Sequence, residues 1–393
     1  MKYRHLMIIG MPMETSMETL IETPMESVET SMEPMETLIE TPMESMEPVE
    51  TPMEPMETPI ETPMESMEPI ETPRKRKRHS QILQQRVTLL KKRPQFKQRS
   101  EEWFLQRQTR ITASEAASCL LKTERVCSSY ISTFGSCMKL TGKSLNTYCS
   151  LEDYIIRKCS DFHKIGNTTF KDTPATLWGK MYEDVASKLY ANLKKTDIYE
   201  FGLLNHPRLK WLAASPDGIT KEGVMIEIKC PKSRKIKESE PPIHYWVQTQ
   251  IQLEVCNLDV CDFLECEIKE VTFPEFMNTP IEKSPGLLLA IGDNEYLYPP
   301  LHINTHQEYI AWMEEFKTAS MYPVFYYIDK YNINSIKRDK EWFDTVKEDF
   351  KAVYKTISFF QKDKQAFLDH LEAIKKEKSQ GFLEKFESTV CEL

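Results

Sequence analysis

Between residues 95 and 303 the apolar positions switch repeatedly between a helical and an extended period, which predicts an α/β core. The clearest helix is Leu177 to Tyr190, where apolar residues at 177, 178, 181, 182, 185, 186 and 189 form one stripe. Ser100 is placed to cap a helix carrying Glu101, Glu102, Trp103 and Arg107, and a second helix begins around Thr112 to Ser114. Lys210 to Ala214 and Val224 to Cys230 read as strands around a Ser215-Pro216-Asp217-Gly218 turn, Tyr245 to Val255 as helix and Val260 to Glu267 as strand. Beyond about Asn304 the chain is rich in Trp, Phe, Tyr and Lys and reads as a helical extension, 304–393.

The N-terminal pattern is of a different kind. From Met11 to Pro73 the chain repeats Met-Glu-Thr, Met-Glu-Ser, Met-Glu-Pro and Ile-Glu-Thr units, with METLIETPMES beginning at both Met17 and Met35. Glutamates three and four apart imitate a helix, but eleven prolines between Pro12 and Pro73 remove amide donors and obstruct each preceding turn. A disordered tail over 1–73 is expected, followed by a basic linker over 74–94 that opens with Arg74 to His79. Such a run suits nuclear import or phosphate contact, and equally a solvated junction.

Charge follows the same division. Residues 1–73 hold seventeen glutamates against Lys2 and Arg4, a charge of -15, so the whole-chain value of -9 leaves the remainder at +6. Mild basicity there fits a nucleic-acid groove. No apolar run reaches the roughly 20 residues of a membrane helix, and Leu6 to Gly10 is too brief for a signal core, so an intracellular protein of nucleus or cytoplasm, without a membrane partner, is expected. Ten cysteines without a CxxC pair, Cys256, Cys261 and Cys266 among them, read as buried reduced thiols.

Chemistry concentrates around Val224 to Cys230. Glu227 and Lys229 are two apart on a strand and share a face, opposite Val224, Ile226 and Ile228. That pattern describes a surface ion pair as well as a site. The second acid, Asp217, which a hairpin would return beside Glu227, favours a hard divalent cation. Tyr245, Gln248 and Gln252 share one helix face, where amides can also simply meet water. Arg107 with the hydroxyls of Thr112 and Ser114 at a helix N-terminus forms an anion site in physical terms, or else a cap and an ion pair.

The string SPDGITKEGVMIEIKCP resembles the PD-(D/E)xK nuclease core of YqaJ-type viral recombinases and lambda-phage-like exonucleases. EEWFLQRQTRITASE at 101–115, LWGKMYEDVA at 177–186 and HYWVQTQIQLEV at 244–255 follow in matching order, and RDKEWFDTV at 338–346 matches more loosely. The resemblance implies a restriction-endonuclease-like fold, a central mixed β-sheet flanked by helices. It implies metal ligation by Asp217, Glu227, Glu183 and the backbone carbonyl of Ile228, with Lys229 as catalytic lysine and two Mg2+ ions, or Mn2+, as cofactor. Gln248 then lies beside the scissile phosphate with Tyr245 near it, Gln250 has a structural or DNA-contact role, and Gly179 lets its helix approach the sheet. Arg107, Thr112, Ser114 and Ser215 fall where lambda-like exonucleases receive a terminal 5′-phosphate. The implied activity is metal-dependent 5′-to-3′ digestion of duplex DNA ends in recombination or DNA processing. Its candidate partners are those ends, a single-strand annealing protein and further copies of the chain. The rival readings are an endonuclease or structure-specific nuclease of the same superfamily, and an inactive DNA-binding scaffold.

Overall fold

The computed structural model describes residues 73–120, 149–166, 172–292 and 294–391. The chain divides between Glu68 and Pro69 into two units, and the described residues all belong to the second. The Met-Glu repeat, expected to be disordered, lies outside the described residues.

The first described element corrects the linker expected over 74–94. Residues Pro73–Lys92 form a helix, α1, whose Leu83, Val87 and Leu90 are spaced i, i+4, i+7 and turn inward, the last two buried in the main core. Arg86 fastens it to Asp259 at 3.1 Å, so folding begins well before Gln95. Helix α2 spans Glu101–Gln108 and is capped by Ser100, whose Oγ accepts from Trp103 N. Strand β1 (Ile111–Thr112) leads into a 3-10 segment, Ala113–Cys119, where an α-helix was expected. Helices α3 (Leu151–His163) and α4 (Pro174–Lys194) follow, the latter started by a Thr173/Thr176 capping box with proline in the first turn.

Strands β2 (Ile198–Tyr199), β3 (Leu204–Asn205), β4 (Leu212–Ala214), β5 (Gly218–Thr220) and β6 (Met225–Lys229) precede helix α5 (Ile243–Cys256) and strand β7 (Val260–Val271). After helix α6 (Phe273–Asn278) come β8 (Gly286–Ala290), β9 (Tyr296–Leu297), helix α7 (His306–Phe316), β10 (Tyr322–Lys337) and helices α8 (Lys340–Lys362) and α9 (Lys364–Cys391). The main sheet has the order β2-β5-β6-β7-β10-β8-β9, with β6 and β7 parallel and its other neighbours antiparallel. A small sheet, β1-β4-β3, lies apart.

Two further expectations change here. The region beyond Asn304 is mainly helical, as expected, in α7, α8 and α9, but it is more than an extension, because β10 lies between β7 and β8 inside the main sheet. The Ser-Pro-Asp-Gly segment does not join two paired strands either, since β4 belongs to the small sheet and β5 pairs with β6 across a turn at 221–223. The consequence foreseen for Asp217 survives: Gly218 pairs with Ile226, which sets Asp217 level with Glu227. Glycine is required at 218, where a Cβ would stand 2.4 Å from Ile198 Cγ2.

Alternation along β6 assigns its two faces. Ile226 and Ile228 pack with Tyr182, Val185 and Leu189 of α4, whereas Met225 joins Trp246, Val247 and Ile251 of α5 on the other side. A mixed sheet between helical layers results, the fold class anticipated from the sequence. The described cysteines, Cys119, Cys149, Cys159, Cys230, Cys256, Cys261 and Cys266, are free, as expected. Among the described residues no helix is long and apolar enough to cross a membrane.

Candidate active site

Asp217 enters at the start of β5, and its Oδ2 accepts from the backbone N of Ile228 at 2.7 Å, which locks the acid to the β6 edge. Glu227 projects from the α5 face of β6 and is 1% exposed. Its Oε1 accepts from Lys229 Nζ and from Gln248 Nε2 at 2.5 Å, and its Oε2 from Gln252 Nε2 at 2.6 Å. The two amides that could have faced water thus grip the buried carboxylate. Tyr245 places its ring 5.0 Å from Lys229 Nζ, completing the stripe read from the sequence.

Glu183 arrives from α4, in the opposite layer, and pairs with Arg99 at 3.0 Å. A cleft of about 660 Å³ brings Glu183, Asp217 and Ile228 to one surface together with Arg99. Gly179 does not have the packing role expected of it, because a Cβ there would meet nothing within 4 Å.

Electrostatics couples these groups. Burial, then the neighbouring Glu227 and Glu183, push the Asp217 carboxyl well above the ordinary range, and burial also raises Glu183 in spite of Arg99. For Lys229 burial disfavours the ammonium, but Glu227 and Asp217 outweigh it and raise the group. His244, next to Tyr245, is pushed down to about 4 by burial, with Lys229 and Arg234 adding repulsion. Among the described residues no group of three or more His, Cys, Asp or Glu is already arranged around a metal position. The donor chemistry nevertheless suits a hard cation: the converging acids are carboxylates whose mutual repulsion a divalent ion would relieve.

A second cluster lies along α2 and the 3-10 segment. Arg107 Nη2 donates to Ser114 Oγ at 3.2 Å, and its guanidinium lies 4.4 Å from the Trp103 ring centroid. Trp103 Nε1 donates to Ser215 Oγ at 3.3 Å, and Ser215 donates to the Gly202 carbonyl at 3.1 Å. Arg107, Ser114 and Ser215 therefore share one network, two residues upstream of Asp217. Thr112 belongs to it indirectly: it is 1% exposed and donates to Glu115 Oε2 at 2.6 Å.

Sequence reasoning missed what holds this cluster. Glu115 receives Lys158 Nζ at 2.8 Å, Arg157 at 3.5 Å and Arg107 at 3.9 Å, and Lys158 also donates to the Arg107 carbonyl. Burial would raise the Glu115 carboxyl, but Lys158 and Arg107 hold it at about 2. Glu115 stood inside the quoted ITASE block; Lys158, on α3, carries no sequence signal at all. Gln250 is a structural pin, donating to the Lys337 carbonyl at 2.9 Å and accepting from Asp339 N at 2.7 Å.

An uncharacterized protein of Acanthamoeba polyphaga mimivirus is 27% identical over 271 residues, 58% of this chain, and the chain spans 44% of that relative. Among solved structures, an alkaline exonuclease from Laribacter hongkongensis superposes with TM-score 0.40 at 18% identity, covering 72% of this chain and 99% of that one. A phage-related exonuclease from Haemophilus somnus gives TM-score 0.36 at 14% identity, covering 61% and 95%. The family model described as a YqaJ-like viral recombinase domain matches residues 102–259, a span that holds Glu115, Glu183, Asp217, Glu227, Gln248 and Gln252. Over residues 102–259 this chain is thus similar to YqaJ-like viral recombinase domains.

Proposed function

We propose that this protein is a metal-dependent DNA exonuclease acting from duplex ends in the 5′-to-3′ direction, in recombination or DNA processing. The observation that carries the reading is the convergence of Asp217 and Glu183 on one cleft, with Lys229 and Gln248 hydrogen-bonded to Glu227, which stands level with Asp217. Asp217, Glu183, Glu227 and the Ile228 carbonyl would hold Mg2+, one ion or two, with Mn2+ as substitute. When bound, the metal supplies an activated water and neutralises charge developing on the phosphate and the leaving oxygen.

The chain's own groups supply positioning. Lys229, kept protonated by the neighbouring acids, presents a cation where charge develops, while Gln248 and Tyr245 order the scissile phosphate from the α5 side. Arg107, with Ser114 and Ser215, offers a charged fork and hydroxyls to a terminal phosphate, and Thr112 supports Arg107 through Glu115. An end held there stands at a fixed distance from Asp217, two residues beyond Ser215.

The test is digestion of end-labelled linear duplexes, with or without a 5′-phosphate, beside closed circular DNA, all with Mg2+. Loss of the 5′-phosphorylated linear duplex with the circle intact is the expected result. Cutting of the circle would make the protein an endonuclease, and DNA binding with no cleavage would make it a scaffold.

A further inference from the structure

Glu265, on β7, is 0% exposed and carries an asymmetry that the proposed reaction does not use. Its Oε1 accepts from Arg234 Nη2, while its Oε2 receives no hydrogen bond within the described residues. A buried carboxylate oxygen left in that state is unfavourable until a donor or cation reaches it.

The donor stands one strand away. In the parallel pairing of β6 with β7, Lys229 lies opposite Glu265. Directly paired positions on neighbouring strands are ~4.8 Å apart and point to the same face, whereas Glu227 and Lys229, two apart on one strand, are separated by ~6.6 Å of backbone. The ammonium of Lys229 is therefore flanked by two carboxylates, Glu227 and Glu265, and in this structure it engages Glu227.

That arrangement sets a problem for metal binding. Both oxygens of Glu227 are committed, one to Lys229 and Gln248, the other to Gln252. A divalent cation on Glu227 is disfavoured by an ammonium held on the same carboxylate, because the two positive charges repel at close range in a buried setting. The amides present no such conflict, and Gln252 Oε1 is itself a buried acceptor without a hydrogen bond.

We propose that Glu265 is a positioning residue that takes the Lys229 ammonium from Glu227 when Glu227 takes a metal ion. Arg234 occupies Oε1 of Glu265 and leaves Oε2 for Lys229. The transfer moves one charged side chain between two carboxylates and makes or breaks no covalent bond. It keeps Lys229 protonated at the cleft edge while Glu227 is freed.

This inference rests on the metal-dependent reading above. Mn2+ binding to the full chain is measured by calorimetry without DNA, with Asp217→Ala identifying the signal that belongs to this site. Glu265→Gln should weaken that signal ~10-fold or more, the range typical of groups that orient metal ligands. In a Lys229→Met background, where no ammonium needs to move, the same substitution should cost little. Arg234→Gln serves as the second variant in case Glu265→Gln does not fold. Removing the competing guanidinium should leave Mn2+ affinity unchanged or higher, whereas an Arg234–Glu265 clamp with a purely structural role would make both variants bind more weakly. Equal loss in the presence and absence of Lys229, or weaker binding by Arg234→Gln, overturns the inference while leaving the metal site intact. Absence of Mn2+ uptake by the wild-type chain overturns the metal-dependent reading, and this inference with it.

Discussion

Glu115 concentrates the argument at the scale of single residues. Its carboxyl is held at about 2 by Lys158 and Arg107 against the cost of burial, below an ordinary value of 4.5. A depressed folded-state value means stability present above about pH 4.5 and lost as pH falls toward 2. The same burial pulls Lys158 down, so the pair contributes less than the carboxylate alone suggests, ~1–3 kcal/mol. Glu115→Gln should therefore lower urea stability at pH 7, and the gap from wild type should narrow as the pH approaches 2. A gap independent of pH would show that packing, not charge, is what Glu115 provides. The carboxylates proposed as metal ligands answer a different test: Glu227→Ala and Asp217→Ala should each reduce cleavage by orders of magnitude with the circular-dichroism spectrum preserved. Near-normal turnover by Glu227→Ala is incompatible with the proposed chemistry. Arg107→Ala should slow digestion of 5′-phosphorylated ends while hardly altering 5′-hydroxyl ends, and Arg107→Lys should restore only part, since a point charge lacks the two-pronged geometry. Equal slowing on both ends would make Arg107 a general backbone contact.

Among the elements, β10 has consequences that its sequence conceals. It pairs with β7 over nearly its full length and with β8 at its start, so the main sheet cannot close without residues 322–337. A chain ending at residue 303 should lose cooperative unfolding, monitored by far-UV circular dichroism on heating, although it retains Asp217, Glu227 and Lys229. Cooperative melting of that fragment would show the remaining strands to be self-sufficient. The strand was illegible because Tyr322–Lys337 lacks strict alternation: its register shifts between Ile328 and Lys330, leaving Asp329 to pair with Lys269 and Lys283. Lys158 and Glu265 are hidden for another reason: they are lone charges whose partners, Glu115 and Arg234, come from distant segments. By contrast α4, α5 and β6 could be read directly, since each combines a clean apolar period with polar residues fixed at motif spacing. Helix α1 departs from the expected linker because its basic first turns, which read as a solvated junction, are followed by the inward stripe of Leu83, Val87 and Leu90.

At the scale of the whole molecule the division of charge is the dominant feature. Seventeen glutamates precede a remainder that carries +6, and the two are joined by continuous chain. We expect the tethered glutamates to compete with the phosphate backbone for loosely held basic side chains, at an effective concentration set by the tether. Bidentate and buried contacts at a specific end would resist that competition; weak contacts along the duplex would not. The acidic repeat would thereby favour ends over internal DNA. Deletion must spare α1, whose Val87 and Leu90 belong to the core, so the variant removes residues 11–68. It should bind blunt-ended and closed circular duplex more tightly at low salt, with the gain largest for the circle. The difference should vanish as added salt shortens the screening length to a few ångströms. Affinities that coincide across the whole salt titration would exclude electrostatic competition and leave the repeat as a spacer or a partner-binding arm.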